Sequence, residues 1–241
     1  HTSADALRAV DDVVAAGPAS WSLDVISGLP HATPATWAAD VAAAAATGAP
    51  HVSVYDLQVE EGTPFGRWYS PGRAPLPSEE DAAECFRLAS RELRGRGYEH
   101  YEVSSYARAG HRSAHNQVYW SGRPYWGLGA SAASLAAGER HANPRGAGAY
   151  RAWVADAGPG GAARRYASLD WRAEGRGADR DDLAVERVML GLRTSDGLDL
   201  RRFARDFGGA AAAGVWRRLG AAAAQGLVES EGGGAGAEAG V

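Results

Sequence analysis

Cysteine is almost absent from this chain, whose 241 residues include a single one, Cys85. One thiol excludes an internal disulfide, and it excludes a zinc or iron–sulfur site built from several cysteines of this chain alone. The sequence also lacks an apolar run near the roughly 18 residues that a membrane span needs, and it lacks the start typical of a secretory signal. We therefore expect a cytoplasmic protein whose association with membranes is at most peripheral.

Excess positive charge is absent as well, because 25 Lys and Arg residues stand against 29 Asp and Glu residues, for a formal net charge of -4. This balance gives no electrostatic basis for a nucleic-acid partner. With 45% hydrophobic and 22% charged residues, the composition is ordinary for a globular protein. The length allows one large domain, or a medium domain with a small one.

Aromatic and polar residues are concentrated between Ala114 and Ser134. The stretch contains His115, Asn116, Tyr119, Trp120, Tyr125 and Trp126. A histidine can ligate a metal through one nitrogen while a hydrogen bond holds the other, and Asn116 is a candidate for that bond to His115. The rings suit the wall of a pocket for a flat ligand, and Gly127 and Gly129 would let backbone approach it. The alternative, which composition alone favours, is an aromatic-rich strand and turn inside a core.

The first quarter of the chain is predicted to alternate helices and strands. The pattern predicts a helix over 3–16 capped by Ser3, a strand over 21–26, a helix over 35–46 and a strand over 51–58. Strand, helix and strand with short connections indicate a right-handed crossover and a parallel sheet. Asp24 would then face the inside of a sheet wrapped by helices, where a carboxylate needs a partner. The partner is either structural, as a salt bridge to a neighbouring strand or a hydrogen bond from a loop amide, or it is a ligand.

Further along, a Pro- and Gly-rich loop over 59–77 is a candidate lid. We expect a helix from Ser78 to about Gly95 that buries Cys85 and Phe86, then a strand over 98–107, and a linker over 140–176. His111 and His115 would form a metal pair only if they shared a helix. The final part predicts helices over 181–192, 199–208 and 214–225 and a strand over 227–230, which is typical of a winged-helix module. The order of elements indicates an α/β layer structure whose polar strand ends fit a barrel or part of one.

Five segments then carry a family resemblance: LDVISGLPHATPATW, HVSVYDLQVEEGTPF, GYEHYEVSSYARAGHRSAHNQVYW, YWGLGASAAS and ERVMLGLRTSDGLDLRRF. In this order and spacing they resemble the carboxy-terminal two thirds of HemW-type heme chaperones. These are relatives of oxygen-independent coproporphyrinogen III oxidase in the radical S-adenosylmethionine (SAM) superfamily. The HNxxYW signature, met by His115, Asn116, Tyr119 and Trp120, sets the heme-binding branch apart from the oxidases.

The resemblance implies a partial parallel barrel of the radical SAM, TIM-like type that lacks its first strands, over residues 1–175. A small helical, winged-helix-like domain would follow over 176–241. It implies that the HNxxYW residues bind heme, with His115 on the iron, and that the protein passes heme to an acceptor apoprotein. It also implies SAM contacts at Asp24, Gln58 and Ala133.

Two departures from the family pattern bear on function. The CxxxCxxC loop that holds the family's [4Fe-4S] cluster is absent from this chain, so the cluster is expected only in a longer parent protein. Ala133 stands where relatives commonly carry a histidine that could contact heme. The GLGASAAS turn is slightly closer to the oxidases, so an enzyme that oxidatively decarboxylates coproporphyrinogen III remains the alternative to a chaperone that is not an enzyme.

Overall fold

The computed structural model describes residues 2–136, 139–156, 158 and 180–230. The chain is a mixed α/β protein with two compact units. The first unit comprises residues 1–120 and 193–196, and the second comprises residues 121–192 and 197–241. The predicted domain boundary between residues 175 and 176 lies outside the described residues and stays a prediction.

The first unit begins with helix α1 (Ser3–Ala16), which has the predicted bounds. Its cap is Thr2 rather than Ser3: the Thr2 hydroxyl accepts from the Asp5 N–H, and the Asp5 carboxylate accepts from the Thr2 N–H. Gly17, at φ +65°, ends the helix in the left-handed conformation that glycine adopts without strain. The prediction missed the cap by one residue because Ser and Thr are both good caps.

The predicted strand, helix and strand follow. Strand β1 (Ser22–Ser27) and strand β2 (His51–Asp56) are parallel, with Ser22 opposite His51, and helix α2 (Pro34–Ala46) connects them. Thr33 caps α2 through its hydroxyl and Pro34 occupies the first turn, where its missing N–H costs nothing. The parallel pairing of these two strands is confirmed.

The next predicted strand, over 98–107, is two strands rather than one, because the chain turns back on itself at residues 103–104. Strand β3 (Glu99–Glu102) and strand β4 (Ser105–Ala107) form an antiparallel hairpin, and β4 also pairs antiparallel with β2. The sheet order is β1-β2-β4-β3, so only the first pair is parallel. Apolar and polar residues continue through the turn at 103–104 without Gly or Pro, which left no signal that the strand is interrupted.

Helices cover one face of this sheet. After the short helix α3 (Pro64–Trp68) in the predicted loop, helix α4 (Glu79–Gly95) packs beside α2. Their core cluster includes Trp37, Val41 and Ala45 from α2, Cys85, Leu88, Ala89 and Leu93 from α4, and Val52 and Tyr106 from the strands. Burial of Cys85 is confirmed, whereas Phe86 is 50% exposed. Phe86 lies at the edge of the buried stripe of α4, three residues before Ala89, so its ring is only partly covered.

Helix α5 (Ala114–Trp120) closes the first continuous part of this unit. The second unit contains the hairpin of β5 (Ala133–Ala136) and β6 (Glu139–Ala142), followed by helix α6 (Ala147–Asp156). The linker predicted over 140–176 is therefore wrong as far as residue 156, and its last part, residues 159–176, lies outside the described residues. Its glycines had suggested irregular structure, yet Gly146 and Gly148 are accommodated at the start of α6.

The final part contains the three predicted helices: α7 (Arg180–Gly191), α8 (Leu200–Phe207) and α9 (Gly209–Ala224). The first two lie close to the predicted bounds, whereas α9 begins five residues earlier than predicted. The strand predicted over 227–230 is wrong, because these residues, which the structure does describe, pair with no strand. Within the described ranges, none of the helices combines the length and the apolar character that a bilayer crossing requires.

Candidate functional site

The HNxxYW signature forms a short helix rather than the strand and turn of the alternative prediction. Ser113 starts α5: its hydroxyl accepts from the Asn116 N–H at 3.2 Å and its carbonyl accepts from the Gln117 N–H at 3.0 Å. His111 precedes the helix, and its Nδ1 lies 3.0 Å from the Ser20 hydroxyl. His111 and His115 therefore do not share a helix face, and the metal pair considered from their spacing is not formed.

His115 and Tyr119 make an exposed pair on α5. Four residues apart, they lie on the same side of the helix, with the Tyr119 hydroxyl 2.9 Å from Nε2 of His115. Their rings meet edge to face, 4.9 Å apart at 89°. Tyr119 thus orients the imidazole, where the sequence had suggested Asn116. The signature places the histidine and the tyrosine four residues apart, which is one helical turn. That spacing was the signal in the sequence that could have predicted this contact.

Asn116 and Trp120 form the second pair of the signature, again one turn apart but half-buried. The indole Nε1 of Trp120 is buried and has no hydrogen-bond partner within the part of the chain that the structure describes. Such a donor is costly to leave unpaired, so it can donate a hydrogen bond to a polar ligand atom after a small local movement. Tyr125 and Trp126, which were expected in the same pocket wall, belong to the second unit, where Trp126 is 54% exposed.

Asp24 lies on the sheet face that the helices leave open. Ser22, Asp24 and Ile26 are exposed, whereas Leu23 and Val25 pack against the core. The expectation that Asp24 faces a helix-wrapped interior is wrong, because its strand alternation directs it away from α2 and α4. In the parallel register Asp24 pairs with Ser53. Gln58 follows β2, five residues beyond Ser53, and is exposed.

The same open face contains a buried polar group that the sequence reasoning missed. His51, Tyr101 and Glu102 are 4%, 0% and 6% exposed, and Nε2 of His51 lies 2.8 Å from the Tyr101 hydroxyl. Nδ1 of His51 has no hydrogen-bond partner among the described residues. Burial lowers the pKa of His51 below its usual value, and the charges of Asp24 and Glu102 oppose that shift. The signal in the sequence was the position of His51, which lies two residues before Ser53 and therefore on the same face of the β pattern.

Ala133 begins β5 in the second unit, and its backbone packs against Gly127. A Cβ at Gly127 would stand 2.1 Å from the Ala133 carbonyl oxygen, so no larger residue fits there. The Gly127 N–H donates to the Ser134 hydroxyl at 3.0 Å, and the Asn143 amide donates to the Gly127 carbonyl at 2.9 Å. Gly127 was predicted to let the backbone come close to a ligand. In the structure it lets the backbone come close to Ala133 of the same chain instead.

The residues of this chain do not fit the family's iron–sulfur cluster. No group of three or more His, Cys, Asp or Glu side chains suited to a metal ion exists within the described ranges. Cys85 is buried in the core, and burial, followed by the nearby Asp81, raises the pKa of its thiol. A single protonated thiol cannot replace the three thiolates of a CxxxCxxC loop.

Comparison with solved structures identifies the class of fold. The chain superposes on the structure titled "Coproporphyrinogen III oxidase (HemN) from Escherichia coli is a Radical SAM enzyme" with a TM-score of 0.69, over 96% of this chain and 54% of that one. Sequence identity to it is 19%, so the likeness concerns the fold. The family model "HemN C-terminal domain" matches residues 178–236.

Curated sequences give the narrower relationship. "Heme chaperone HemW" of Synechocystis sp. is 34% identical over 198 residues, which are 82% of this chain and 46% of the relative. "Heme chaperone HemW" of Bacillus subtilis is 30% identical over 208 residues, 86% of this chain and 52% of the relative. "Heme chaperone HemW" of Mycobacterium tuberculosis strain H37Rv is 32% identical over 202 residues, 84% of this chain and 49% of the relative.

The chain is therefore an α/β protein with the fold of the radical SAM oxidase HemN. Within that class it belongs to the HemW-type family, and the resemblance carried by its motifs is confirmed. The chain spans about half the length of the curated relatives it matches.

Proposed function

We propose that the protein binds heme through α5 and transfers it to an acceptor protein. The observation that carries this proposal is the exposed pair of His115 and Tyr119, because a solvent-accessible imidazole already oriented by a phenol is suited to ligate iron. The curated relatives named as heme chaperones support the same function.

Each residue of the signature has a proposed part in holding this cargo. His115 ligates the heme iron, and Tyr119 orients its ring. Trp120 and Asn116, half-buried on the adjoining side of the helix, contribute an apolar surface and polar donors. An iron bound at Nε2 displaces the Tyr119 hydroxyl, whereas an iron bound at Nδ1 leaves that hydroxyl as the outer partner of the ligand.

SAM is the second proposed ligand. Asp24 is a suitable acceptor for its polar groups because the carboxylate is exposed on the open strand face, and Gln58 and Ala133 are the further proposed contacts. When bound together with a reduced [4Fe-4S] cluster, SAM supplies radical chemistry, and the cluster would belong to residues outside this chain. We further propose the partial barrel over 1–175, the winged-helix-like domain over 176–241 and a cytoplasmic location.

A titration with hemin tests the principal proposal. We expect the purified protein to produce a Soret band, and His115→Ala to weaken hemin affinity by about tenfold or more, because the iron loses its protein ligand. His31→Asn is the matched control: it removes another exposed histidine, at φ +65°, where asparagine is well tolerated. A spectrum that His115→Ala leaves unchanged would remove His115 from the site.

Oxidative decarboxylation of coproporphyrinogen III is the second candidate. The likeness to the solved HemN structure and the alanine at position 133 favour it. Consumption of coproporphyrinogen III by a full-length form of the protein, under anaerobic and reducing conditions with SAM, would support an enzyme. Soret binding without such consumption would support the chaperone.

A further inference from the structure

Arg112, two residues before α5, joins distant parts of the first unit. Its Nη1 donates to both carboxylate oxygens of Asp196 at 2.9 Å, and its Nε donates to the Glu99 carboxylate at 3.0 Å. The guanidinium also lies 5.3 Å from the centre of the Tyr101 ring. Hydrogen bonding from Arg112 is the main cause that lowers the pKa of Glu99. Forked contacts of this kind restrict the orientation of the arginine as well as its position.

The residues on either side of Arg112 are also held. Nδ1 of His111 lies 3.0 Å from the Ser20 hydroxyl. The Ser113 N–H donates to the Tyr101 hydroxyl at 3.2 Å, and that hydroxyl lies 2.8 Å from Nε2 of His51. The Tyr101 side chain is completely buried, so its hydroxyl is a rigid attachment point. Residues 111–113 thus contact three separate parts of the first unit, namely the segment before β1, strand β3 and residues 193–196. We term residues 111–113 the α5 anchor.

Helix α5 depends on this anchor because it is short. Seven residues make two turns, and isolated helices below about 12 residues are marginal in water. Ser113 belongs to the anchor through its N–H and caps the helix through its hydroxyl, so the same residue sets where α5 begins. A shift of Ser113 would move His115 and Tyr119 with it.

We propose that Tyr101 and Arg112 are positioning residues for heme binding, acting through the α5 anchor to present the ring pair of His115 and Tyr119. The inference rests on the proposed function of that pair. Tyr101 and Arg112 are not heme contacts, so their loss disturbs the geometry of the ligand while the ligand itself remains. Outer partners of metal-binding histidines typically affect metal affinity by about tenfold to a hundredfold.

Two conservative substitutions, each with a matched control, test this role. Tyr101→Phe removes the hydroxyl that holds Ser113. Its control, Tyr98→Phe, removes a buried hydroxyl that donates to the Ala49 carbonyl at 2.6 Å within the core cluster. Arg112→Gln removes the forked contacts, and Arg87→Gln removes a surface ion pair on α4. Because Arg112 is partly exposed, whereas Tyr101 is completely buried, the Arg112→Gln variant is the one to use if Tyr101→Phe folds poorly.

Hydrogen–deuterium exchange and hemin titration are the two measurements. In Tyr101→Phe and Arg112→Gln we expect the amides of residues 114–120 to exchange about fivefold to tenfold faster without hemin. We expect hemin affinity about tenfold weaker. The control variants should leave both quantities unchanged.

The outcomes separate the two proposals. Faster exchange in α5 with weaker hemin binding in the test variants alone supports the positioning role. Unchanged exchange, or equal effects in test and control variants, overturns it. If the wild-type protein fails to bind hemin, or His115→Ala binds normally, the proposed function fails, whereas exchange still reports whether the anchor holds α5.

Discussion

His51 shows how the environment of one residue affects the pH dependence of the whole unit. It is buried, its Nε2 bonds Tyr101, and desolvation lowers its pKa although Asp24 and Glu102 oppose the shift. The charged form of a buried imidazole loses hydration, so folding favours the neutral form. In the unfolded chain the same histidine titrates near its usual value of 6.5.

Acidification should therefore destabilise the first unit through His51. Between about pH 6.5 and the lower folded pKa, the unfolded state binds a proton that the folded state does not, so the free energy of unfolding falls as the pH falls. The loss is about 1.4 kcal/mol for each unit separating the two pKa values. Urea unfolding from about pH 7.5 to about pH 5.5 measures it.

The comparison variant for this effect is His51→Gln, which keeps a polar side chain but does not titrate. We expect its free energy of unfolding to depend less on pH than that of the wild-type protein. His31→Asn removes an exposed histidine and should keep the wild-type dependence. An identical pH profile in the wild-type protein and His51→Gln would show that His51 does not carry the effect.

The sequence was enough to predict which residues belong to the candidate site, but not which of them contact one another. HNxxYW indicated His115 and its neighbours, yet whether Asn116 or Tyr119 bonds the imidazole depends on the helix that the segment adopts. His51 was not singled out, because a histidine in a β pattern has no special meaning until the fold buries it beside Tyr101. Its partner lies 50 positions away in the sequence.

At the scale of elements, the turn between Tyr125 and β5 depends on one glycine. A Cβ at Gly127 would meet the backbone of Ala133, which cannot move aside as a flexible side chain can. Gly220 lies in the interior of α9, and among the described residues no atom comes within 4 Å of a Cβ placed on it. The two positions give opposite predictions for the same chemical change in the same unit.

We expect Gly127→Ala to destabilise the second unit by about 3 kcal/mol or more, because overpacking here acts on rigid backbone. We expect Gly220→Ala to stabilise it by about 0.5–1 kcal/mol, since alanine restricts the unfolded chain and favours helix. Thermal unfolding of both variants beside the wild-type protein checks the prediction. A Gly127→Ala variant as stable as the wild type would contradict the backbone contact.

The elements that local patterns predicted best are those with strong caps. Helices α1, α2 and α4 begin beside Thr2, Thr33 and Ser78, each of which accepts a backbone N–H at the start of its helix. The hairpin of β3 and β4 and the β6–α6 region were mispredicted, because their turns depend on pairing with residues elsewhere in the fold. Strand direction in particular is set by long-range partners that a local window does not contain.

At the scale of the whole molecule, Cys85 decides what this chain can hold. We expect the 241-residue protein to hold no stoichiometric [4Fe-4S] cluster after anaerobic treatment with iron, sulfide and thiol and subsequent desalting. The reason is that the cluster needs three thiolates, whereas this chain has one thiol, which is buried. Iron and acid-labile sulfide analysis measures this outcome. Cys85→Ala is the control and should give the same iron content. Four irons per chain would contradict the expectation.

The proposed heme site does not depend on the cluster cysteines that this chain lacks. The HemW-type relatives are about twice as long as this chain, and the residues matched here include the whole HNxxYW signature. Family membership could be predicted from the motifs, although the curated relatives share only about a third of their residues with this chain. The division of the chain into two units could not, because the first unit is completed by residues 193–196 from a distant part of the sequence.

The hydrogen bond between Tyr119 and His115 has a consequence for the proposed carrier function. A ligand that binds Nε2 would have to replace a phenol that is tethered one turn away on the same helix. Under the proposed function, loading at Nε2 would cost this internal hydrogen bond and release would restore it. The phenol would then act as a built-in competitor that weakens retention of the ligand and favours its transfer.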